Sequence, residues 1–166
     1  MLPQNFINSI IRPANNVLGL GSHEAEQLML GTAIQESGLN NIKQVNGPAI
    51  GYFQDEPEDH DDLWQNYLTY HQTLAMRLRS LLPDNVAPNS RCLLIYPLYA
   101  AGVCRMHYER APGAIPLDLS GQATYYKLYY NTAGGAATTQ EYINKWIAIV
   151  GQGAIANWAT LMSPSL

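Results

Sequence analysis

Basic residues are scarce in this chain: Lys and Arg together number nine among 166 residues, against thirteen Asp and Glu, giving a formal charge of −4. Phosphate recognition depends on clustered cationic side chains, so this balance argues against a nucleic-acid partner. Long apolar runs are missing too. None approaches the roughly 20 residues that span a bilayer, because Asn, Arg and Pro interrupt each candidate, and no membrane role is expected. The N-terminus, MLPQNFINSIIRPANN, has no Lys/Arg-led start, continuous apolar segment or small-residue cleavage site, so no secretory signal peptide is expected. There are two cysteines, Cys92 and Cys104, both in one apolar stretch; reduced, buried thiols are expected rather than a disulfide framework. Repeats, linkers and low-complexity tracts are absent, and 47% apolar content suits a single domain over 1–166.

What is present is helical periodicity. Phe6, Ile7, Ile10 and Ile11 form a short stripe that Pro13 should end. Ser22 then opens a stronger signal: a capping side chain, Glu24 and Glu26 in the first turns, and Ala25, Leu28, Met29, Thr32 and Ala33 at helical spacing. From 40 to 58 the period is lost, and Gly47, Pro48, Gly51 and Pro57 predict a loop or small β-hairpin. One long amphipathic helix is expected from Leu63 to Leu82, with His71 on its apolar stripe. A buried helix with a break near Pro97 should follow over 89–110, and a Tyr-rich helix over 120–130. Thr138-x-x-Glu141 reads as a capping box before a further helix, and 154–161 as a last turn or two. The expected fold class is therefore mainly α with a small hairpin.

Glu36 continues the apolar series of the second helix, immediately before Ser37-Gly38 stops it. There a carboxyl group is desolvated and faces the negative end of the helix dipole; both effects raise its pKa. An acid that holds its proton near neutrality is what glycoside cleavage needs to protonate a leaving oxygen. The same position also suits a buried glutamate that only hydrogen-bonds a loop, and position alone does not separate the two. The acidic run from Asp55 to Asp62 lacks the ligand-and-glycine plan of an EF-hand and the His spacing of a zinc helix, so Asp59, Asp61 and Asp62 are expected to lead the long helix. His107, ringed by aromatics, reads as a satisfied core or boundary histidine.

Three fragments in order, Ala33-Ile34-Gln35-Glu36-Ser37-Gly38, Ala49-Ile50-Gly51-Tyr52-Phe53-Gln54 and Tyr130-Asn131-Thr132-Ala133-Gly134, resemble the soluble lytic transglycosylases and goose-type lysozymes of the lysozyme-like superfamily. The wider segment from Tyr99 to Tyr108 looks like small lysozyme-like proteins of tailed bacteriophages. Tyr52-Phe53 stands in place of the family's Leu-Met, Val45 in place of a common serine, and the Tyr-Asn motif has one extra residue before its glycine. The resemblance implies a lysozyme-like helical domain that cuts the β-1,4 bond between N-acetylmuramic acid and N-acetylglucosamine in peptidoglycan. It implies Glu36 as catalytic acid/base, with Ser37 near the substrate. Gly51, Tyr52 and Gln54 would form one wall of a glycan cleft, and Tyr130 and Asn131 the opposite rim. Transglycosylases use the muramyl 6-hydroxyl as nucleophile, whereas an inverting hydrolase needs a second carboxylate about 6.5–9.5 Å away; Glu56 stands in the goose-type register for it. No metal or organic cofactor is implied. The implied partners are glycan strands and other virion proteins. The implied route is synthesis in the host cytoplasm, then the virion or delivery to the periplasm and cell wall. The rival reading is a non-catalytic virion structural or adaptor protein on the same scaffold; a third is a chitin-directed or inhibitor-like protein.

Overall fold

The computed structural model describes residues 1–132 and 135–151; the helical turns expected over 154–161 lie outside them. It is mainly helical, with one two-stranded antiparallel sheet. The helices are α1 (Pro3–Phe6), α2 (Arg12–Leu18), α3 (His23–Ser37), α4 (Pro57–Asp62), α5 (Gln72–Arg79), α6 (Cys92–Ile95), α7 (Pro97–Glu109), α8 (Leu119–Tyr126) and α9 (Thr139–Val150); the strands are β1 (Ile42–Lys43) and β2 (Ile50–Gly51).

The core is built around α3. Ser22 Oγ accepts from the Ala25 N–H at 3.2 Å, which fixes the start of the helix. Gly38, at φ +61°, takes the left-handed conformation that ends it. Between these caps Ala25–Ile34 is buried without interruption, so α3 is enclosed all round instead of presenting one apolar stripe. It touches α7, α8, α9 and the turn at Ile7–Ile11. The buried Glu26 receives both Nε and a terminal nitrogen of Arg12, at 2.9 and 3.0 Å, a two-pronged pair that ties α2 to α3. Cys92 and Cys104 are free and buried.

Two expectations fail on backbone detail. Pro13 does not end the first helix: a π turn over Ile7–Ile11 resets the hydrogen-bond ladder, with the Arg12 N–H reaching Ile7 O, and Pro13 falls in the first turn of α2 where no N–H is required. The long helix from Leu63 to Leu82 is also broken. Helix α4 begins earlier, at Pro57, with Glu58 and Asp59 in its first turn. A π turn over Leu63–Tyr67 and a 3₁₀ turn over Leu68–Tyr70 follow, and the chain leaves helical geometry at His71, φ −125° and ψ 61°. His71 is exposed, its Nδ1 lies 2.8 Å from Tyr67 O and its ring stacks on Tyr67; this local bonding competes with the ladder. Among the described residues the longest helix is consequently α3. The break expected near Pro97 is present, at Tyr96 between α6 and α7.

Beyond Gly38 a second left-handed residue, Leu39 at φ +63°, turns the chain into the hairpin, where Ile42 pairs with Gly51 and Lys43 with Ile50. Gly51 has φ +80°, and a Cβ there would lie 2.6 Å from the Leu93 carbonyl oxygen. Because that obstacle is backbone, Gly51→Ala should destabilise the protein by roughly 1–3 kcal/mol, read by chemical denaturation. An unchanged midpoint would mean that the hairpin does not sit against α6 in this way.

Candidate functional site

The hairpin loop folds back across the C-terminal end of α3 and leaves an open cleft of about 750 Å³. Glu36 lines it together with Ile42, Val45 and Gln54–Glu56 from the hairpin region, His107 from α7 and Arg110 just after it, and Tyr129–Thr132 with Gly135 from the segment after α8. The cleft thus joins residues from opposite ends of the chain. Ala133 and Gly134, part of the expected rim, lie outside the described residues.

Glu36 is half-buried, and its Oε1 accepts a 2.5 Å hydrogen bond from the Tyr126 hydroxyl. Burial pushes its pKa up, and this outweighs the Tyr126 hydrogen bond and the attraction of Lys145, which both favour the carboxylate. Lys145 is held close by donating to Gln35 O at 3.0 Å. Tyr126 is fully buried, and burial together with the neighbouring Glu36 charge drives its pKa far above the ordinary phenol value, so its hydroxyl keeps the proton that it donates to Glu36. A tier of rings supports it. Tyr126 lies against Tyr142 and Tyr130, Tyr130 stacks on Tyr108 at 5.5 Å, and the Tyr108 hydroxyl is 2.6 Å from Thr32 Oγ1. Aromatic contact of this kind fixes the hydroxyl that meets Glu36.

The protonated form of Glu36 is the one able to donate, so a dependent reaction should decline as pH rises through its raised pKa. Tyr126→Phe removes a hydrogen bond that favours the carboxylate, and the basic limb of kcat/KM should therefore move to higher pH. A pH–rate profile of both proteins tests the sign; a limb that stays in place or moves down would refute it.

The other sequence-singled residues divide between the cleft and its supports. Ser37 does not face the cleft: its hydroxyl is engaged by Ala33 O and by Tyr52 O, the latter at 2.7 Å, and so locks the loop onto α3. Tyr52 packs its ring edge-on against Phe6, away from the cleft. Gly51 closely approaches the Leu93 carbonyl and does not line the cleft. Gln54 lines the cleft, yet its Nε2 donates to Ile42 O and Gly51 O, clamping the two strands. Tyr130 lines the cleft and donates to Phe53 O at 2.9 Å, bridging the two walls. Asn131 lines it and accepts from Lys127 Nζ at 2.8 Å. Glu56 is exposed at the N-cap position of α4, on the rim.

Sequence reasoning missed the contact of Tyr126 with Glu36 and the pairing of Asp55 with His107. Asp55 is 6% exposed and His107 7%, and Asp55 Oδ1 lies 3.1 Å from His107 Nε2. His107, buried yet lining the cleft, is a boundary histidine, within the reading the sequence supports. The pull of the nearby Asp55 charge, after burial, also raises the Asp59 pKa. No spacing in the sequence links Asp55 to His107, but His107 and Glu109-Arg110 do stand out as polar residues ending an apolar helix. Among the described residues no cluster of three or more His, Cys, Asp or Glu is arranged to hold a metal ion, and no helix is long and apolar enough to cross a membrane. Comparison with protein-family models, with curated proteins and with solved structures finds no match for this chain.

Proposed function

We propose that this protein cleaves the β-1,4 bond between N-acetylmuramic acid and N-acetylglucosamine in peptidoglycan glycan strands, with Glu36 as general acid. The observation that carries the reading is the cleft-lining Glu36, its pKa raised by burial and its carboxyl group oriented by Tyr126. Burial favours the protonated form of a carboxyl group so placed, and one oxygen is anchored, leaving the other to reach a glycosidic oxygen. The cleft suits an extended, weakly charged polymer: it is open, and the exposed Ile42 and Val45 offer apolar surface to the faces of sugar rings. Its volume falls in the range usual for ligand sites. Gln54, Tyr130 and Asn131 would border the bound strand, and the resemblance to lytic transglycosylases and goose-type lysozymes names the substrate.

The test is digestion of purified peptidoglycan by wild type and Glu36→Gln, with released muropeptides resolved by mass spectrometry. Muropeptides from wild type alone support the reading. Release by neither protein, or equal release by both, would overturn it.

A further inference from the structure

The tip of the hairpin carries the one Asn–Gly pair of the sequence, Asn46-Gly47. The Gln44 N–H donates to Ala49 O at 2.9 Å and closes the turn, and within residues 45–48 no backbone hydrogen bond of ordinary geometry forms. Asn46 is exposed and sits at φ +62°, a left-handed conformation that asparagine tolerates better than most residues with a Cβ. Its carboxamide makes no hydrogen bond to any described residue. An exposed loop tip without internal bonds can rotate its dihedrals at little cost. Other exposed asparagines are tied down or crowded. Asn41 donates to Leu94 O at 2.8 Å and Asn66 to Asp62 Oδ1 at 2.7 Å, while Asn5, Asn16 and Asn85 precede the bulky Phe6, Val17 and Val86. Only at Asn46 does a free carboxamide stand beside a backbone nitrogen whose residue has no side chain to obstruct it.

We infer that Asn46 is a self-acting modification site, at which the Gly47 backbone nitrogen closes on the Asn46 side chain. The Gly47 nitrogen gives its proton to solvent base and bonds to Asn46 Cγ; the Cγ–Nδ2 bond breaks, and Nδ2 takes up a proton and leaves as ammonia. Water then opens the five-membered imide. Hydrolysis of the new Cγ–N bond gives aspartate, and hydrolysis of the original backbone C–N bond gives isoaspartate, whose chain runs through Cβ and Cγ and is one methylene longer. Both products put a carboxylate on the tip, next to Lys43, Gln44 and Val45, which line the cleft. Isoaspartate also alters the spacing that the Gln44–Ala49 bond closes. The inference concerns the hairpin alone and is independent of the role of Glu36.

The experiment is incubation of the purified full chain, folded and in urea, in warm, mildly alkaline buffer, followed by peptide mapping with electron-transfer fragmentation to separate isoaspartate from aspartate. In the folded protein residue 46 should become heavier by about 1 Da, the exchange of NH₂ for OH, before any other asparagine and faster as pH rises. Isoaspartate should exceed aspartate. Gly47 is not left-handed, so Gly47→Ala keeps an allowed backbone, and its Cβ should slow the conversion severalfold. In the isoaspartate fraction the Gln44 amide should exchange hydrogen severalfold faster than in fresh protein. An unmodified residue 46 in the folded chain would overturn the proposal, whether or not it converts in urea. So would earlier reaction at another asparagine, or a Gly47→Ala rate equal to wild type. Unaltered Gln44 exchange would overturn the effect on the hairpin.

Discussion

Glu36→Gln should reduce the release of muropeptides by about 10²–10⁴-fold, the range associated with loss of a positioned general acid. The substitution keeps the shape of the side chain and keeps an oxygen to accept the Tyr126 hydroxyl, so the packing around residue 36 is retained. Stability should move the other way. A carboxyl group whose pKa is raised by folding contributes stability while protonated, at low pH, and progressively loses it as pH rises from the unfolded pKa through the folded one. Above that window the native protein carries a buried charge that folding disfavours, and glutamine removes it. Glu36→Gln should therefore melt at the same temperature as wild type or higher at neutral pH, while at low pH the two should converge. Loss of activity with retained or increased stability marks a group kept for its chemistry at some cost to the fold. A Gln variant that melts well below wild type would assign Glu36 to the scaffold instead.

The second large effect is on stability. Trp146→Ala should cost about 3–5 kcal/mol, the usual range for removing a buried large aromatic side chain, and lower Tm by roughly ten degrees for a protein of this size. Trp146 is completely buried on α9, the helix that packs along α3, and the neighbouring Tyr142 on the same helix donates to Leu28 O at 3.2 Å. The start of α9 is fixed independently: Thr138 Oγ1 accepts from the Glu141 N–H and the Glu141 carboxylate from the Thr138 N–H. The helix should thus survive locally while its docking weakens. Because Tyr142 also lies against Tyr126, loosened docking should reach Glu36, and residual activity should fall with temperature sooner than in wild type. Calorimetry decides the matter; a Tm within about two degrees of wild type would show that α9 is not part of the cooperative core.

Much of the architecture was legible because its signals are local. Ser22 and Gly38 bound α3, Thr138 and Glu141 start α9, and Gly47, Pro48 and Gly51 mark the hairpin; each acts through hydrogen bonds or dihedral preferences within a few residues. Periodicity misled where several backbone geometries share one pattern. The apolar spacing from Leu63 to Leu82 reads as a continuous helix, but it accommodates a π turn, a 3₁₀ turn and a break at His71 equally well. Pro13 reads as a stop because nothing in the sequence announces the π turn that makes room for it.

The sequence by itself determined a mainly helical chain, the ends of α3, and a carboxylate at the last turn of that buried helix. Packing between distant elements brings Tyr126 to Glu36, sets Ser37, Tyr52 and Gly51 to support the loop, and brings Asp55 to His107 in the cleft. The division has one physical cause. Caps, turns and helical periods are settled by neighbours along the chain. A contact such as Glu36 with Tyr126, 90 residues apart, depends on how α3, α7, α8 and α9 pack, and that is fixed only when their buried side chains interlock.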